Sequence, residues 1–307
     1  MQYIAESTEF KLKNSVVTLG KFDGFHIGHQ MLIDHIMELK ECGYQAVMFT
    51  FHMHPNNLLH EEEFKLIYTE EEKHEQLKKL GIDVLIAYPF TKETASMTAP
   101  QFVEEVLVKK LDVQAIVVGS DFRFGKDRQG DVALLKSLSE RFGYEVYCYD
   151  KVTYHGEVVS STRIRNEIVN SNMIEVKEML GRPFSITGTV MHGRKLGRTL
   201  GLPTINIIPS EDKLLPKNGV YLSWTLIDGV IYQGVTNIGY KPSVSNEQIL
   251  GVETYLFDFD QNVYGKEVEV MLLSFIRPEM RFGCVEELKA QMLVDIKEAK
   301  ERHRTME

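Results

Sequence analysis

Two histidines three residues apart, His26 and His29, close the run Gly20-Lys21-Phe22-Asp23-Gly24-Phe25-His26-Ile27-Gly28-His29, where a short apolar strand leads into a helix. Val16, Val17 and Leu19 make the strand. From Leu32 the residues Ile33, Ile36, Met37 and Leu39 recur at helical spacing until Gly43. The imidazoles therefore sit at a helix mouth, where unpaired backbone N–H groups and the positive end of the dipole attract phosphate. At i and i+3 they share one face and can both donate to phosphate oxygens. Gly20, Gly24 and Gly28 let the backbone approach closely. The competing readings are a surface pair or a metal site, but zinc wants further Cys or His ligands at matching spacing and none is evident.

Three other stretches carry chemistry. The loop Gly119-Ser120-Asp121-Phe122-Arg123-Phe124-Gly125-Lys126-Asp127-Arg128-Gln129-Gly130-Asp131 mixes glycines, aromatics and cations. Phe122 and Phe124 can pack on a planar ring while Arg123, Lys126 and Arg128 offer charge to phosphate, which suits a flavin nucleotide; a charged surface loop with two core phenylalanines is the plainer reading. Ser160-Ser161-Thr162-Arg163-Ile164-Arg165 opens a helix with hydroxyls and two arginines, fit for phosphate or for an ordinary cap. The stretch from Gly188 to Asn206 is rich in glycine and cations, including Gly193, Lys195, Gly197 and Gly201, and has the composition of a phosphate-covering loop. Thr204 and Asn206 alternate with Ile205 and Ile207, so both oxygens share a strand face and can ligate a hard ion such as Mg²⁺. Glu253, read here at the start of an apolar strand, is a candidate general base. Each has a plainer reading as well: Thr and Asn as surface strand residues, Glu253 as a solvent-facing partner of Lys or Arg.

The elements that must position these residues fall into two patterns. Over residues 15–150 short apolar strands at 46–51, 84–88, 115–119 and 144–149 alternate with helix-length segments, the pattern of a parallel sheet covered on both faces. Thr69-Glu70-Glu71-Glu72 and Thr98-Ala99-Pro100-Gln101 have capping-box spacing, the second with Pro in the first turn. In such sheets ligands lie at the carboxyl ends of the strands, where loops 20–29, 52–57 and 119–131 fall. After Gly181-Arg182-Pro183 strands dominate, at 184–191, 204–208, 220–227, 230–235, 252–259 and 268–275, with hairpin turns expected at Asp228-Gly229 and around Asp260-Gln261-Asn262. A small antiparallel β-barrel followed by a C-terminal helix from Val285 is expected. The domain boundary is placed between residues 182 and 183.

Composition bounds the function. A chain of 307 residues, 43% apolar, suffices for two cores, and a net charge of −9 argues against a general nucleic-acid surface while leaving room for a nucleotide. No run approaches the roughly 20 apolar residues of a membrane span, and the N-terminus lacks signal-peptide regions, so a cytoplasmic location is expected. Cys42, Cys148 and Cys284 have no metal spacing and are expected to be buried free thiols.

The first loop resembles the H-x-G-H element of the nucleotidyltransferase superfamily in the form seen in bacterial FAD synthetases. Val118-Gly119-Ser120-Asp121-Phe122-Arg123-Phe124-Gly125 and Ser160-Ser161-Thr162-Arg163-Ile164-Arg165 resemble the same family in the same order. The resemblance implies an α/β nucleotidyltransferase domain with a Rossmann-like parallel sheet over residues 1–182. It implies an ATP site of Gly20, Phe22, Asp23, Gly24, His26, His29, Ser161, Thr162 and Arg163, and a flavin site with Asp121, Phe122 and Phe124. Residues 183–307 resemble the bacterial riboflavin kinase domain through the Gly-rich loop, Pro203-Thr204-Ile205-Asn206, Asn218-Gly219-Val220-Tyr221, Val235-Thr236-Asn237-Ile238-Gly239, Val252-Glu253-Thr254 and Phe275-Ile276-Arg277-Pro278-Glu279. There the resemblance implies Thr204 and Asn206 as Mg²⁺ and phosphate ligands and Glu253 as base. Departures from the family pattern occur at Met53, at Ile205 and at Ser243, and an Arg often found between Leu58 and Thr69 is missing; Ile205, larger than the usual Ala, can shift the metal site beside it, but the ligand types are unchanged and activity is expected to survive.

The implied function is bifunctional: ATP-dependent phosphorylation of riboflavin to FMN in the barrel, then adenylylation of FMN to FAD in the N-terminal domain. The implied partners are small molecules, with neither nucleic acid nor membrane, in a monomer or weak homo-oligomer. Two rivals remain at this level. One is a flavin-binding storage or regulatory protein that has lost one or both activities; the other is a nucleotidyltransferase acting on a different alcohol phosphate, which leaves the barrel without a purpose.

Overall fold

Strand alternation in the first half produces a six-stranded, wholly parallel sheet. The computed structural model describes residues 1–52, 65–193, 197, 200–242 and 248–306. Contacts divide the chain into two units, Met1–Phe64 with Glu70–Ser160, and Lys65–Thr69 with Ser161–Glu307. In the first unit β1 (Gln2–Ala5), β2 (Ser15–Leu19), β3 (Gln45–His52), β4 (Val84–Pro89), β5 (Val113–Gly119) and β6 (Glu145–Tyr149) lie in the order β1-β4-β3-β2-β5-β6. The edge strand β1, half exposed and only four residues long, has too little pattern to be read from sequence. β2 is buried along its whole length, its hydroxyl residues Ser15 and Thr18 included, as a central strand of a covered parallel sheet.

The helices are α1 (Ile27–Glu41), α2 (Glu70–Lys79), α3 (Lys92–Ser96), α4 (Ala99–Gln101) and α5 (Val132–Phe142). The capping box at Thr98 forms as expected: the Gln101 N–H donates to the Thr98 hydroxyl, and the Thr98 N–H to Gln101 Oε1 at 3.0 Å. Beyond α4 the chain widens into a π-helical stretch, Phe102–Val108, with the Lys109 N–H bonded to the Glu104 carbonyl. This stretch turns Phe102, Val103, Val106 and Leu107 onto the sheet, where they pack with Val17, Phe49 and Ile86.

The chain runs outward from β2 through β3 to β4, then returns to place β5 on the other side of β2. The order of strands therefore reverses between β2 and β5, whose register pairs Thr18 with Val117. The loops after Leu19 and after Gly119 emerge side by side at this switch point, the place where open α/β sheets hold ligands. A short hairpin of β7 (Thr153–Tyr154) and β8 (Glu157–Val158) closes the unit.

The second unit opens with α6 (Ser161–Asn170) and α7 (Met173–Leu180), the latter stopped by Gly181 at φ 72°. β9 (Phe184–Thr189), β10 (Thr204–Ile207), β11 (Gly219–Ile227), β12 (Val230–Pro242), β13 (Gln248–Leu256) and β14 (Glu267–Pro278) form an antiparallel sheet in the order β10-β13-β12-β11-β14-β9. The two edges approach each other where the Met191 N–H donates to the Asn206 carbonyl at 2.8 Å, curling the sheet toward a barrel. Helix α8 (Val285–Arg304) packs Ile296 and Ala299 on Val220, Leu222 and Val235.

The Asp228-Gly229 hairpin forms with φ of 49° and 83° at its two turn residues, so Ile227 pairs with Val230. The turn expected around Asp260-Gln261-Asn262 is not a hairpin. β13 pairs with β10 and β12, whereas β14 pairs with β11 and β9, so the chain between them crosses the sheet. It is pinned there by the Gly265 N–H on the Val190 carbonyl at 2.9 Å. β12 also runs well past residue 235, to Pro242, paired with β13 from Gly234 onward, where a Cβ on Gly234 would lie 2.6 Å from the Tyr255 carbonyl oxygen. The cysteines, expected to be buried, are exposed. Cys42 follows α1, Cys148 lies on the edge strand β6 and Cys284 precedes α8, so each occupies an element end or edge instead of a core face.

Candidate active sites

The first site is built on the loop after β2. Its backbone takes left-handed conformations at Phe22 (φ 48°), Gly24 (φ 91°) and Phe25 (φ 41°). Non-glycine residues pay for this conformation with about 1 kcal/mol each, and the two phenylalanines, 1% and 0% exposed, are held in it by burial. The Phe22 ring meets the His29 ring edge-on at 5.1 Å and also covers Gly20, where a Cβ would stand 3.0 Å from it. Asp23 lies between these buried residues and is half-buried.

His26 is the N-cap of α1, with its carbonyl accepting the His29 and Gln30 N–H groups at 2.7 and 2.9 Å. The His26 side chain makes no cap hydrogen bond, and the amides of Ile27 and Gly28, in the first turn, have no intrahelical acceptor. The His26 and His29 rings stack at 3.7 Å with 17° between their planes. Both Nδ1 atoms are buried without a hydrogen-bond partner among the described residues. Gly28 makes room for the stack, since a Cβ there would lie 3.2 Å from His26 Nδ1.

Burial lowers the His26 pKa to about 4, and burial together with the neighbouring His26 holds His29 well below 6.5. Both rings are therefore neutral at pH 7. A buried unpartnered ring nitrogen beside orphan helix amides is a site prepared for an anion. Among the described residues no group of three or more His, Cys, Asp or Glu could hold a metal.

The neighbouring loop after β5 is tight. Phe124 and Gly130 exchange N–H···O bonds of 3.1 and 2.9 Å, and a Cβ on Gly130 would strike the Phe124 ring at 2.8 Å. Phe124 is 5% exposed and packs on Phe102, so it belongs to the core; Phe122 stacks on it from outside at 5.5 Å. Asp121 is exposed and pairs with Lys151 at 2.8 Å, while Arg123, Lys126 and Arg128 face outward. Asp131 caps α5 by accepting the Leu134 N–H at 2.9 Å. Ser161, Thr162 and Arg163 form the first turn of α6, which packs in the second unit. Met53, Ser243, Lys195 and most of the loop 52–57 lie outside the described residues.

The second site lies on the barrel. Thr204 and Asn206 share one face of β10 while Ile205 and Ile207, 8% and 1% exposed, share the other. Ile205 thus points away from the oxygens and does not crowd them, contrary to the expectation from its size. Asn206 stands opposite Glu253, Glu253 opposite Asn237, Asn237 opposite Val220, and Val220 opposite Arg277, a single row across β10, β13, β12, β11 and β14. Glu253 is mid-strand, not at a strand start, and its carboxylate accepts the Thr204 hydroxyl at 2.5 Å. The glycine loop closes on these oxygens: a Cβ on Gly193 would lie 2.8 Å from Asn206 Nδ2, and one on Gly197 3.3 Å from Thr204 Oγ1. Gly201 takes φ 76° in the turn that returns to β10.

A cavity of about 310 Å³ opens along this row, lined by Thr204, Asn206, Asn237 and Glu253, by the apolar Val220, Val235, Tyr255 and Met292, and by Arg277 and Asp295. Glu253 and Arg277 are three strands apart, roughly 14 Å at 4.8 Å per strand. That length and mixed lining suit one elongated, largely flat molecule with a hydroxyl brought to Glu253. Asn237, Tyr255 and Asp295 carry no strong sequence signal as site residues. Only the pairing of distant strands, and of a helix with them, puts them on the same wall.

Comparison with known proteins finds two family models along the chain. A family model described as FAD synthetase matches residues 8–163 and one described as riboflavin kinase matches residues 180–303. A Listeria monocytogenes protein named bifunctional riboflavin kinase/FMN adenylyltransferase is 38% identical over 92% of this chain and 90% of its own length. The Escherichia coli K12 protein of the same name is 34% identical over 93% and 92%. A crystal structure from Streptococcus pneumoniae, titled macrolide-efflux protein, superposes with a TM-score of 0.82 at 31% identity, covering 95% of this chain and 96% of that one. Among the described residues no helix is long and apolar enough to cross a membrane.

Proposed function

The chain belongs to the bifunctional riboflavin kinase/FMN adenylyltransferase family, and from that membership we propose which residues of each half perform its two reactions. The protein phosphorylates riboflavin to FMN with ATP and transfers AMP from a second ATP to FMN, giving FAD and pyrophosphate. Functionally we assign residues 1–182 to adenylyl transfer and 183–307 to the kinase.

In the kinase the carrying observation is the Asn206–Glu253–Asn237 row with Thr204 bonded to Glu253. Glu253 takes the proton of the ribityl hydroxyl as that oxygen forms its bond to the γ-phosphorus of ATP and the bridging P–O bond breaks to release ADP. Thr204 orients the carboxylate before the substrate arrives. A hydroxyl, an amide oxygen and a carboxylate form a hard-oxygen set that fits Mg²⁺, which commonly takes one or two protein ligands and completes its shell with water and phosphate. Thr204 and Asn206 would hold it, and when bound it neutralises charge developing on the phosphates. Gly193, Lys195, Gly197 and Gly201 belong to the loop that covers those phosphates.

In the adenylyltransferase the FMN phosphate is already ionised and attacks the α-phosphorus of ATP without a base. His26, His29 and the α1 amides bind the ATP phosphates and stabilise the departing pyrophosphate, with Gly20, Phe22, Asp23 and Gly24 shaping the loop. Ser161, Thr162 and Arg163 are assigned to the same ATP, and Asp121, Phe122 and Phe124 to the flavin, with Phe124 acting from the core as the support of Phe122. We place the enzyme in the cytoplasm as a monomer or weak homo-oligomer.

The test is a time course with riboflavin, ATP and Mg²⁺ resolved by flavin chromatography, run on wild type and Glu253→Gln. Wild type is expected to accumulate FMN before FAD. Glu253→Gln is expected to lose FMN formation by 10²- to 10⁴-fold while converting supplied FMN to FAD normally. Retention of FMN formation by a folded Glu253→Gln would remove Glu253 from the base role.

A further inference from the structure

The C-terminal helix is fully buried along only half its length. Its buried residues are Asp295, Ile296, Ala299 and His303; none of its first ten residues is buried, although Met292 packs partly buried against the barrel core. Leu288 and Met292, from that first half, line the kinase cavity. The first fully buried residue of the helix is polar. Arg277, at the β14 end of the cavity row, donates Nε to Asp295 Oδ1 at 2.8 Å and Nη2 to Oδ2 at 2.6 Å. Gln291, one turn earlier on the helix, donates to the same Oδ1 at 2.9 Å, and Arg277 Nη1 donates to the Pro278 carbonyl at 2.9 Å.

Although both side chains line the cavity, these bonds take up most of the hydrogen-bonding capacity that the pair has to offer. A fork-to-fork pair is also fixed in direction as well as distance. A buried ion pair is weak evidence for stability, because an apolar pair of similar volume is often as stable, so its placement here must be explained by what it orients. Resting on the kinase reading above, we propose that Arg277 and Asp295 are positioning residues for the flavin. They form a clamp that sets the angle at which the less buried half of α8 overhangs the cavity, and with it the width of the slot between Met292 and the sheet. The clamp makes no bond to reacting atoms, so it acts on riboflavin affinity and not on phosphoryl transfer.

The experiment measures KM for riboflavin, KM for ATP and kcat of FMN formation, with riboflavin binding followed by quenching of its fluorescence, in the full chain. Asp295→Asn leaves Arg277 without its charge partner, so the informative companion is Arg277→Met/Asp295→Leu, which removes both charges and keeps the volume. Both variants are expected to raise the riboflavin KM and dissociation constant roughly ten-fold, with ATP KM and kcat within about two-fold of wild type. Asp295→Glu, which keeps the charge, is expected to recover part of the loss. Circular dichroism and thermal unfolding of each variant report that its kinase half is folded. A folded double variant with unchanged riboflavin affinity would overturn the clamp, as would equal changes in both KM values or a loss confined to kcat. Failure of the kinase reading is separate, since it shows in Glu253→Gln and leaves these flavin-binding measurements intact.

Discussion

Acid should destabilise this protein through His26 in a window that its burial defines. The ring has a folded pKa of about 4 against 6.5 for an ordinary imidazole. Between those values the unfolded chain binds a proton that the folded chain does not, so stability is full above about pH 6.5 and is lost as pH falls toward 4. The two pKa values correspond to a loss of about 2 kcal/mol at pH 5 and about 3 kcal/mol at pH 4 from this ring alone. His29, stacked on it and shifted in the same direction, adds to the effect. The perturbation that isolates it is His26→Gln, which keeps a polar planar group and removes the titration. Urea unfolding at pH 7.5, 6.0 and 5.0, with local opening of α1 followed by hydrogen exchange, should show the advantage of wild type over the variant shrinking by about 2 kcal/mol between pH 7.5 and pH 5.0. The same neutrality predicts no inflection near pH 6.5 in kcat/KM for ATP in adenylyl transfer, because that ratio reports the free enzyme. Parallel stability curves for wild type and variant, or a His26-dependent inflection at pH 6.5, would refute the burial argument.

Gly28→Ala places a Cβ 3.2 Å from His26 Nδ1 and must displace the stacked ring; FAD formation from supplied FMN should fall at least ten-fold while FMN formation is unchanged. Asp131→Ala removes the cap on the Leu134 N–H and should cost about 1 kcal/mol in thermal unfolding of the first unit. Chelation of Mg²⁺ should abolish FMN formation and leave the far-ultraviolet circular dichroism unaltered, since Thr204 already has a partner in Glu253 without the ion.

Local pattern was enough for the features whose cause is local. The strand, glycine turn and helix around His26 and His29 follow from short-range periodicity and backbone freedom, as do the Thr98 capping box and the Asp228-Gly229 turn. Strand parity alone put Thr204 and Asn206 on one face, and the same parity turns Ile205 away from them, an implication that size considerations had obscured. Motif resemblance, spread over both halves in family order, carried the function.

What pattern could not supply is pairing between distant segments. The turn at 260–262 reads as a hairpin because turn residues look alike whether the next strand pairs with the last one or crosses the sheet to another. Phe122 and Phe124 are equivalent in sequence, yet core contacts with Phe102 take one ring inward and leave the other outside. The neutrality of the two histidines comes from burial, joined at His29 by the neighbouring His26, neither of which is visible in His-x-x-His. Most of all, Asn206, Glu253, Asn237, Val220 and Arg277 come from five strands separated by up to 71 residues and meet in one row only because of the strand order. Backbone hydrogen bonds between strands carry no side-chain code for which strand lies next to which, so that order is decided by the packing of the whole sheet.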